Sequence, residues 1–298
     1  MAGETFVSLA AGLQNAPDPV PILSEMNTLL ESSASEIFLV LPRIPLLAIF
    51  ACLESSNDSQ VDSTCLVLNK LLDALPVSTF LELSNFLELG LQHPNVRVVV
   101  LCLRQLKRCC SDPSTLPMVL APTMLHLVTQ LMGHERLEVA KATHAILAFL
   151  CKEERTRKVI LDERRAGFMG DVDHLMRKNS TVRFRVYDLF TEIAMSSSDA
   201  FKDVCGTGVL TQVTNELEDR DILLKLNCLE VLIRLLASPE GYRFIEESNV
   251  VKKLHDVLHT RNADPLASIV VPGTTSHMQC SYLVVACSDL CAMSATAI

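Results

Sequence analysis

Tryptophan is absent from the 298 residues, and only three tyrosines and ten glycines are present. So few glycines leave little material for tight β-hairpins or phosphate-cradling loops. No GxxxxGK[ST], GxGxxG or GxSxG occurs, which removes the motifs that hold nucleotide phosphates or present a catalytic serine. No apolar run reaches the roughly 18–20 residues that a membrane span needs. The nearest, residues 37–53, is interrupted by Pro42, Arg43 and Pro45. The start, Met1-Ala2-Gly3-Glu4, has neither the basic nor the apolar part of a secretory signal. Cation excess is missing too. The formal charge is −9, which argues against nucleic acid as a partner. The short basic stretches (Arg104, Lys107, Arg108; Arg155, Arg157, Lys158; Arg164, Arg165) sit among acids on helical patterns and are expected to be solvated helix faces. Cysteine is present but without a framework: eleven, an odd number, at irregular spacing. That predicts buried free thiols in a reduced protein, cytoplasmic with the nucleus as the other compartment.

What is there is leucine and repetition. Apolar residues make up 49 % and charged residues 20 %, enough for a core. Val96, Val139, Val182 and Leu224 each open a segment with apolar or small residues at +4, +7 and, in three of the four, +11. The second runs Val139, Thr143, Ile146, Leu150; the third Val182, Val186, Leu189, Ile193; the fourth Leu224, Cys228, Val231, Leu235. The first gives Val96, Val100, Leu103 and breaks at Lys107. Val61, Cys65, Leu68 and Leu72 form an earlier, divergent copy. Positions spaced by three and four share one helical face. A second row keeps the same period: Met169, Leu210 and Val251, each with apolar partners at +3 and +7, with Met124, Leu127 and Leu131 one step earlier. Asn179, Ser180 and Asp221 fall between the paired helices as N-caps. Residues 1–21, with Pro17, Pro19 and Pro21, read as a non-helical lead or as a loop after one initial helix. The expectation is an all-α fold, an α-solenoid of HEAT/armadillo-type repeats with a period of about 41–45 residues. It is built from stacked helix pairs over residues 1–273, with the best-defined repeats at 80–262 and a divergent tail at 274–298.

No constellation asks for chemistry. His255 and His259 share a helical face with Asp256 between them, but the HExxH pattern and a third ligand are missing. Cys109-Cys110 has no CxxC spacing, and His277, Cys280, Cys287 and Cys291 do not make a zinc-finger pattern. The chain is therefore read as non-enzymatic, with no catalytic residue, no metal and no cofactor. Binding is the remaining role. If the phrase-bearing helices line the concave side of the stack, positions +3, +6 and +10 face outward. These are Arg185, Asp188 and Glu192 in the third segment and Asn227, Glu230 and Arg234 in the fourth. In the second they are Ala142, Ala145 and Phe149. Such a mixed-charge ladder suits a folded protein partner rather than a polyanion. The same residues could instead bridge neighbouring repeats.

Four stretches carry a family likeness: Leu137 to Leu147 (LEVAKATHAIL), Asn179 to Ala194 (NSTVRFRVYDLFTEIA), Gly206 to Leu217 (GTGVLTQVTNEL) and Asn262 to Gly273 (NADPLASIVVPG). In order and spacing they resemble the repeats of the 26S proteasome non-ATPase regulatory subunit 5 family. The resemblance covers roughly residues 80–273, about two thirds of the chain. It implies a HEAT/armadillo-like chaperone that assists assembly of the proteasome regulatory particle base. Its partners would be base ATPase subunits, gripped through their C-terminal regions, and other base subunits, with no nucleic acid and no membrane. The alternative is a general armadillo-like adaptor or scaffold unrelated to the proteasome. Members of that family are longer, so this chain is expected to be a short or truncated form.

Overall fold

A computed structural model describes residues 1–162, 167–219, 221–250 and 252–253. His255, Asp256, His259, the Asn262–Gly273 stretch, the expected tail and three of the eleven cysteines lie outside them, as do Arg164 and Arg165. The chain divides into two compact units, Met1–Phe149 and Leu150–Ile298. Among the described residues every regular element is helical.

The first unit begins with α1 (Ala2–Gly12), α2 (Val20–Ser32), α3 (Ala34–Leu39) and α4 (Leu46–Ala51). The prolines at 17 and 19 fall in the connection after α1, the second of the two arrangements expected for residues 1–21. Next come α5 (Asp58–Ala74), α6 (Ser84–Leu91), α7 (Val96–Cys109), α8 (Leu116–Val119), α9 (Pro122–Leu131) and α10 (Leu137–Lys152), and the division between the units falls near the end of α10. The second unit continues with α11 (Glu154–Leu161), α12 (Phe168–Met176), α13 (Ser180–Ala194), α14 (Ser198–Gly206), α15 (Val209–Asn215), α16 (Ile222–Leu235) and α17 (Pro239–Glu247).

The long helices α7, α10, α13 and α16 recur at the expected interval, but α7, α10 and α13 are each followed by two shorter helices rather than one. The expected pair is a triplet, the three-helix form of this repeat class. The additional helices are α8, α11, α14 and α17. In the second unit their buried positions keep the same beat: Arg157 and Ile160, Phe201 and Val204, Gly241 and Ile245. Serine starts two of them. Ser197 accepts from the Ala200 amide at 3.1 Å, and Ser238 from the Gly241 amide at 3.0 Å. Each supplies an acceptor to an amide that the helix cannot satisfy itself.

Three of the four phrases, and the earlier copy at 61–72, lie on the buried face. The first does not. Val96 and Val100 are only half-buried, whereas Val98, Cys102, Gln105 and Cys109 are at most 1 % exposed. The register is set by the cap. Asn95 accepts from the Arg97 amide at 2.9 Å, as Asn179 and Asp221 cap α13 and α16 at 2.9 Å. The third helical residue in each case, Val98, Val182 or Leu224, begins the buried stripe. In α7 the stripe contains Gln105, whose polar side chain masks it. Gln105 is satisfied inside: its Nε2 donates to Asp73 Oδ1 at 3.0 Å and its Oε1 accepts from Arg108 Nη1 at 2.7 Å. Arg108 also donates to the Leu72 and Leu75 carbonyls, at 2.6 and 2.9 Å, closing the end of α5. The second helical row shows a similar offset in α9. Met124 is buried there, but the positions that complete its stripe are Val128 and Met132 rather than Leu127 and Leu131.

Arg157 corrects a further expectation. It is no solvated surface cation: its side chain is 2 % exposed. Its Nε donates to Asp203 Oδ2 at 2.8 Å and its Nη1 to the Cys151 carbonyl at 3.3 Å. A guanidinium can be buried there because it is both paired and hydrogen-bonded. Arg183, Glu216 and Tyr187 form a second such tie, with Arg183 Nη1 3.0 Å from Glu216 Oε1 and the Tyr187 hydroxyl donating to the same oxygen at 3.0 Å.

Candidate protein-binding surfaces

The six ladder residues predicted from sequence sit on α13 and α16, which pack against each other in the second unit. Caps at Asn179 and Asp221 fix the phase of both helices and so the direction of each outward residue. Arg185 and Asp188 are half-buried; Glu192, Asn227, Glu230 and Arg234 are exposed. Asp188 and Arg234 form an ion pair from one helix to the next. Bridging between repeats, the other role weighed for these positions, is thus observed for that pair. Both side chains are about half exposed, at 50 and 44 %, so the pair contributes only about 0–1 kcal/mol. Of the three equivalent residues on α10, Ala142 and Ala145 are half-buried and Phe149 is 40 % exposed.

A second surface lies in the first unit and was not anticipated. A cleft of about 320 Å³ opens between α5 and α7, with Glu138 of α10 on its third side. Its floor is apolar: Leu66 is 52 % exposed, and Val96 and Val100 are half-buried. The starts of the two helices are tied together, since Asn95 Nδ2 donates to Asp58 Oδ1 at 3.3 Å. His93 adds a link back to Leu53. Its Nδ1 accepts from the Asn95 amide at 3.0 Å, so its ring proton sits on Nε2 and is donated to the Leu53 carbonyl at 3.1 Å. Across the cleft Arg97 pairs with Asp62 at 2.6 Å, and Arg104 pairs with Asp73. Asn69, also on the lining, has its Oδ1 closed off from solvent without a hydrogen-bond partner. An unpaired carbonyl of that kind costs about 1–3 kcal/mol. The signal for this surface was present on α5, where Leu66 and Asn69 lie off the buried stripe, but an exposed leucine alone is ordinary.

Neither surface contains a reactive thiol. Cys65, at the cleft, is 4 % exposed, and burial pushes its thiol up to about 11. Burial also raises Cys109 to about 11, and Cys110, Cys151 and Cys228 to about 12. Near neutral pH all of these are protonated thiols rather than thiolates. The eight cysteines among the described residues are free, and all but Cys205 are buried, as the composition suggested. Among the described residues no three His, Cys, Asp or Glu side chains cluster as a metal site, and no helix is long and apolar enough to cross a membrane.

Comparison with known proteins places the repeats. The chain is 27 % identical to the 26S proteasome non-ATPase regulatory subunit 5 of Bos taurus over 258 residues, covering 86 % of this chain and 51 % of that one. With the Homo sapiens protein of the same name it shares 26 % over 227 residues, covering 76 and 44 %. The chain thus spans about half the length of the curated relatives it matches. A designed armadillo repeat protein in complex with a (KR)4 peptide superposes with a TM-score of 0.46 at 13 % identity, covering 77 % of this chain and 98 % of that one. The family described as Proteasome non-ATPase 26S subunit matches residues 2–292, nearly the whole sequence, and the chain belongs to it.

Proposed function

We propose that this chain is a non-enzymatic chaperone that holds ATPase subunits of the proteasome base, through their C-terminal regions, while the regulatory particle assembles. The observation that carries this reading is the family match over residues 2–292, to a subunit type whose description is itself non-ATPase. The repeat fold supports it, because stacked helices present long side-chain ladders for holding a protein. The partner surface proposed is Arg185, Asp188, Glu192, Asn227, Glu230 and Arg234, with other base subunits as further partners and the cytoplasm, along with the nucleus, as the setting. We also place the limit of the repeat domain at residue 273.

Affinity purification of the tagged chain from cell extract, with mass spectrometry of what it retains, tests the reading. Base ATPases should be enriched with the tagged chain, and the tagged chain itself should be absent from the finished proteasome fraction. Recovery of unrelated cargo without any base ATPase would favour a general adaptor and sink the proposal. The surface has its own test. Exchanging the charges, Asp188→Arg with Arg234→Asp, keeps the bridge but inverts what a partner meets. ATPase retention should fall at least tenfold while the melting curve stays unchanged. Undiminished retention would remove this pair from the contact surface.

A further inference from the structure

We propose that the cleft between α5 and α7 is a docking site for an extended acidic–aliphatic peptide segment, carrying a branched aliphatic residue flanked by carboxylates about three residues apart. The inference concerns the first unit and does not depend on the chaperone reading or on the ladder of the second unit.

Three observations define the occupant. The floor of Leu66, Val96 and Val100 asks for an aliphatic side chain, since these groups already stand partly in water. The charge is one-sided on α7: its exposed residues are Arg97, Arg104 and Lys107, all cationic. Arg97 engages Asp62 through Nη1, and Arg104 engages Asp73 through Nη2. A guanidinium has five N–H donors, so each keeps donors for an incoming carboxylate. Asp73 is already held by both Arg104 and Gln105, and Glu138 on the third side lies 3.5 Å from Arg136, so the cations around the cleft (Arg97, Arg104, Lys107 and Arg136) outnumber its acids (Asp62, Asp73 and Glu138). Arg97 and Arg104 are seven residues apart, about 10.5 Å along a helix rising 1.5 Å per residue. That span matches about three residues of a polyproline-II-like extended chain at roughly 3.1 Å each, in which side chains three apart share one side. Finally, Asn69 between them holds an acceptor without a donor. Rotation of its amide toward the cleft would let Oδ1 accept a backbone N–H of the docked segment, an interaction available in the bound state and missing in the empty one. Extended backbone is therefore favoured over a helix, whose amides are already spent.

Fluorescence anisotropy with a labelled, blocked peptide Gly-Ser-Gly-Glu-Leu-Val-Glu-Gly-Ser and the whole chain tests this. Saturable binding is expected, at least tenfold weaker for the Lys-Leu-Val-Lys and Glu-Ala-Ala-Glu versions. Leu66→Glu, a change at an exposed position, should abolish it. Asn69→Leu should weaken it about tenfold. Lys202→Gln in the second unit, at an exposed position, should leave it intact. Circular dichroism melting of each variant keeps loss of fold apart from loss of binding. No saturation up to about 1 mM peptide, a limit near −4 kcal/mol of binding, would overturn the proposal. So would equal binding of Glu-Ala-Ala-Glu, which would mean bare attraction to a cationic ridge, or an Asn69→Leu variant that binds as well as the parent.

Discussion

The two units solve the same packing problem with different surfaces. In the second, the outward side chains of α13 and α16 are mostly charged, and one pair joins the helices across the face. In the first, α5 and α7 pair their charges at Asp62–Arg97 and Asp73–Arg104 but leave Leu66 and Val100 uncovered between the pairs. Identical helix phasing thus gives a bridged, polar face in one place and an apolar slot in the other. The interior ties differ as well. The second unit buries a charged guanidinium, Arg157, against the partly exposed Asp203, whereas the first relies on Gln105 reaching Asp73 and Arg108 reaching backbone carbonyls. A repeat fold fixes where side chains point; what stands at the three or four outward positions decides whether the face is closed or receptive.

The largest expected effect is at the buried guanidinium. Arg157→Ala removes two charge-assisted hydrogen bonds and the buried stem, while Asp203, 27 % exposed, regains water, so the change should cost the second unit about 2–4 kcal/mol. Hydrogen exchange should show α11 and α14 losing protection first. Retained protection there would mean that the pair is not what holds those helices. Two glycines come next and separate the units more finely. A Cβ at Gly241 would lie 1.9 Å from the Leu235 carbonyl oxygen, and one at Gly90 would lie 2.2 Å from Cys102 Sγ. Gly→Ala at either should cost about 1–3 kcal/mol by denaturant unfolding. Only the first-unit change should be rescued by trimming the neighbour, with Cys102→Ala, since its obstacle is a side chain and the other is backbone. Rescue failing at Gly90 would mean that α6 and α7 cannot readjust. The smallest effect belongs to the surface bridge. Asp188→Ala should change stability by under about 1 kcal/mol, and more than that would show the bridge to be better shielded than its exposure indicates.

Much of this was readable from sequence because helical periodicity reports burial directly. Val182, Val186, Leu189 and Ile193 form an uninterrupted apolar stripe, and all four are buried. Where polar residues are buried, the pattern misleads. Gln105 in the stripe of α7 shifted the apparent register by two residues, although Asn95, read as a cap, would have restored it. Arg157 looked like a surface cation because its partner, Asp203, is 46 residues away in sequence. The additional short helix of each period was missed because four to nine residues give too few turns for a distinct periodicity. The cleft needed coordinates: an exposed leucine and an asparagine on one helix become a site only beside the valines and arginines of the next.

Arg157 also has a consequence for how the chain comes to be folded. Its counter-ion is made 46 residues later, a delay of about 2–9 s at synthesis rates of 5–20 residues per second. Through that interval the guanidinium is better off in water than in an apolar interior, so α11 must stay undocked until α14 emerges. The ribosome therefore delivers this stretch as a clasp that is cut first and fastened late.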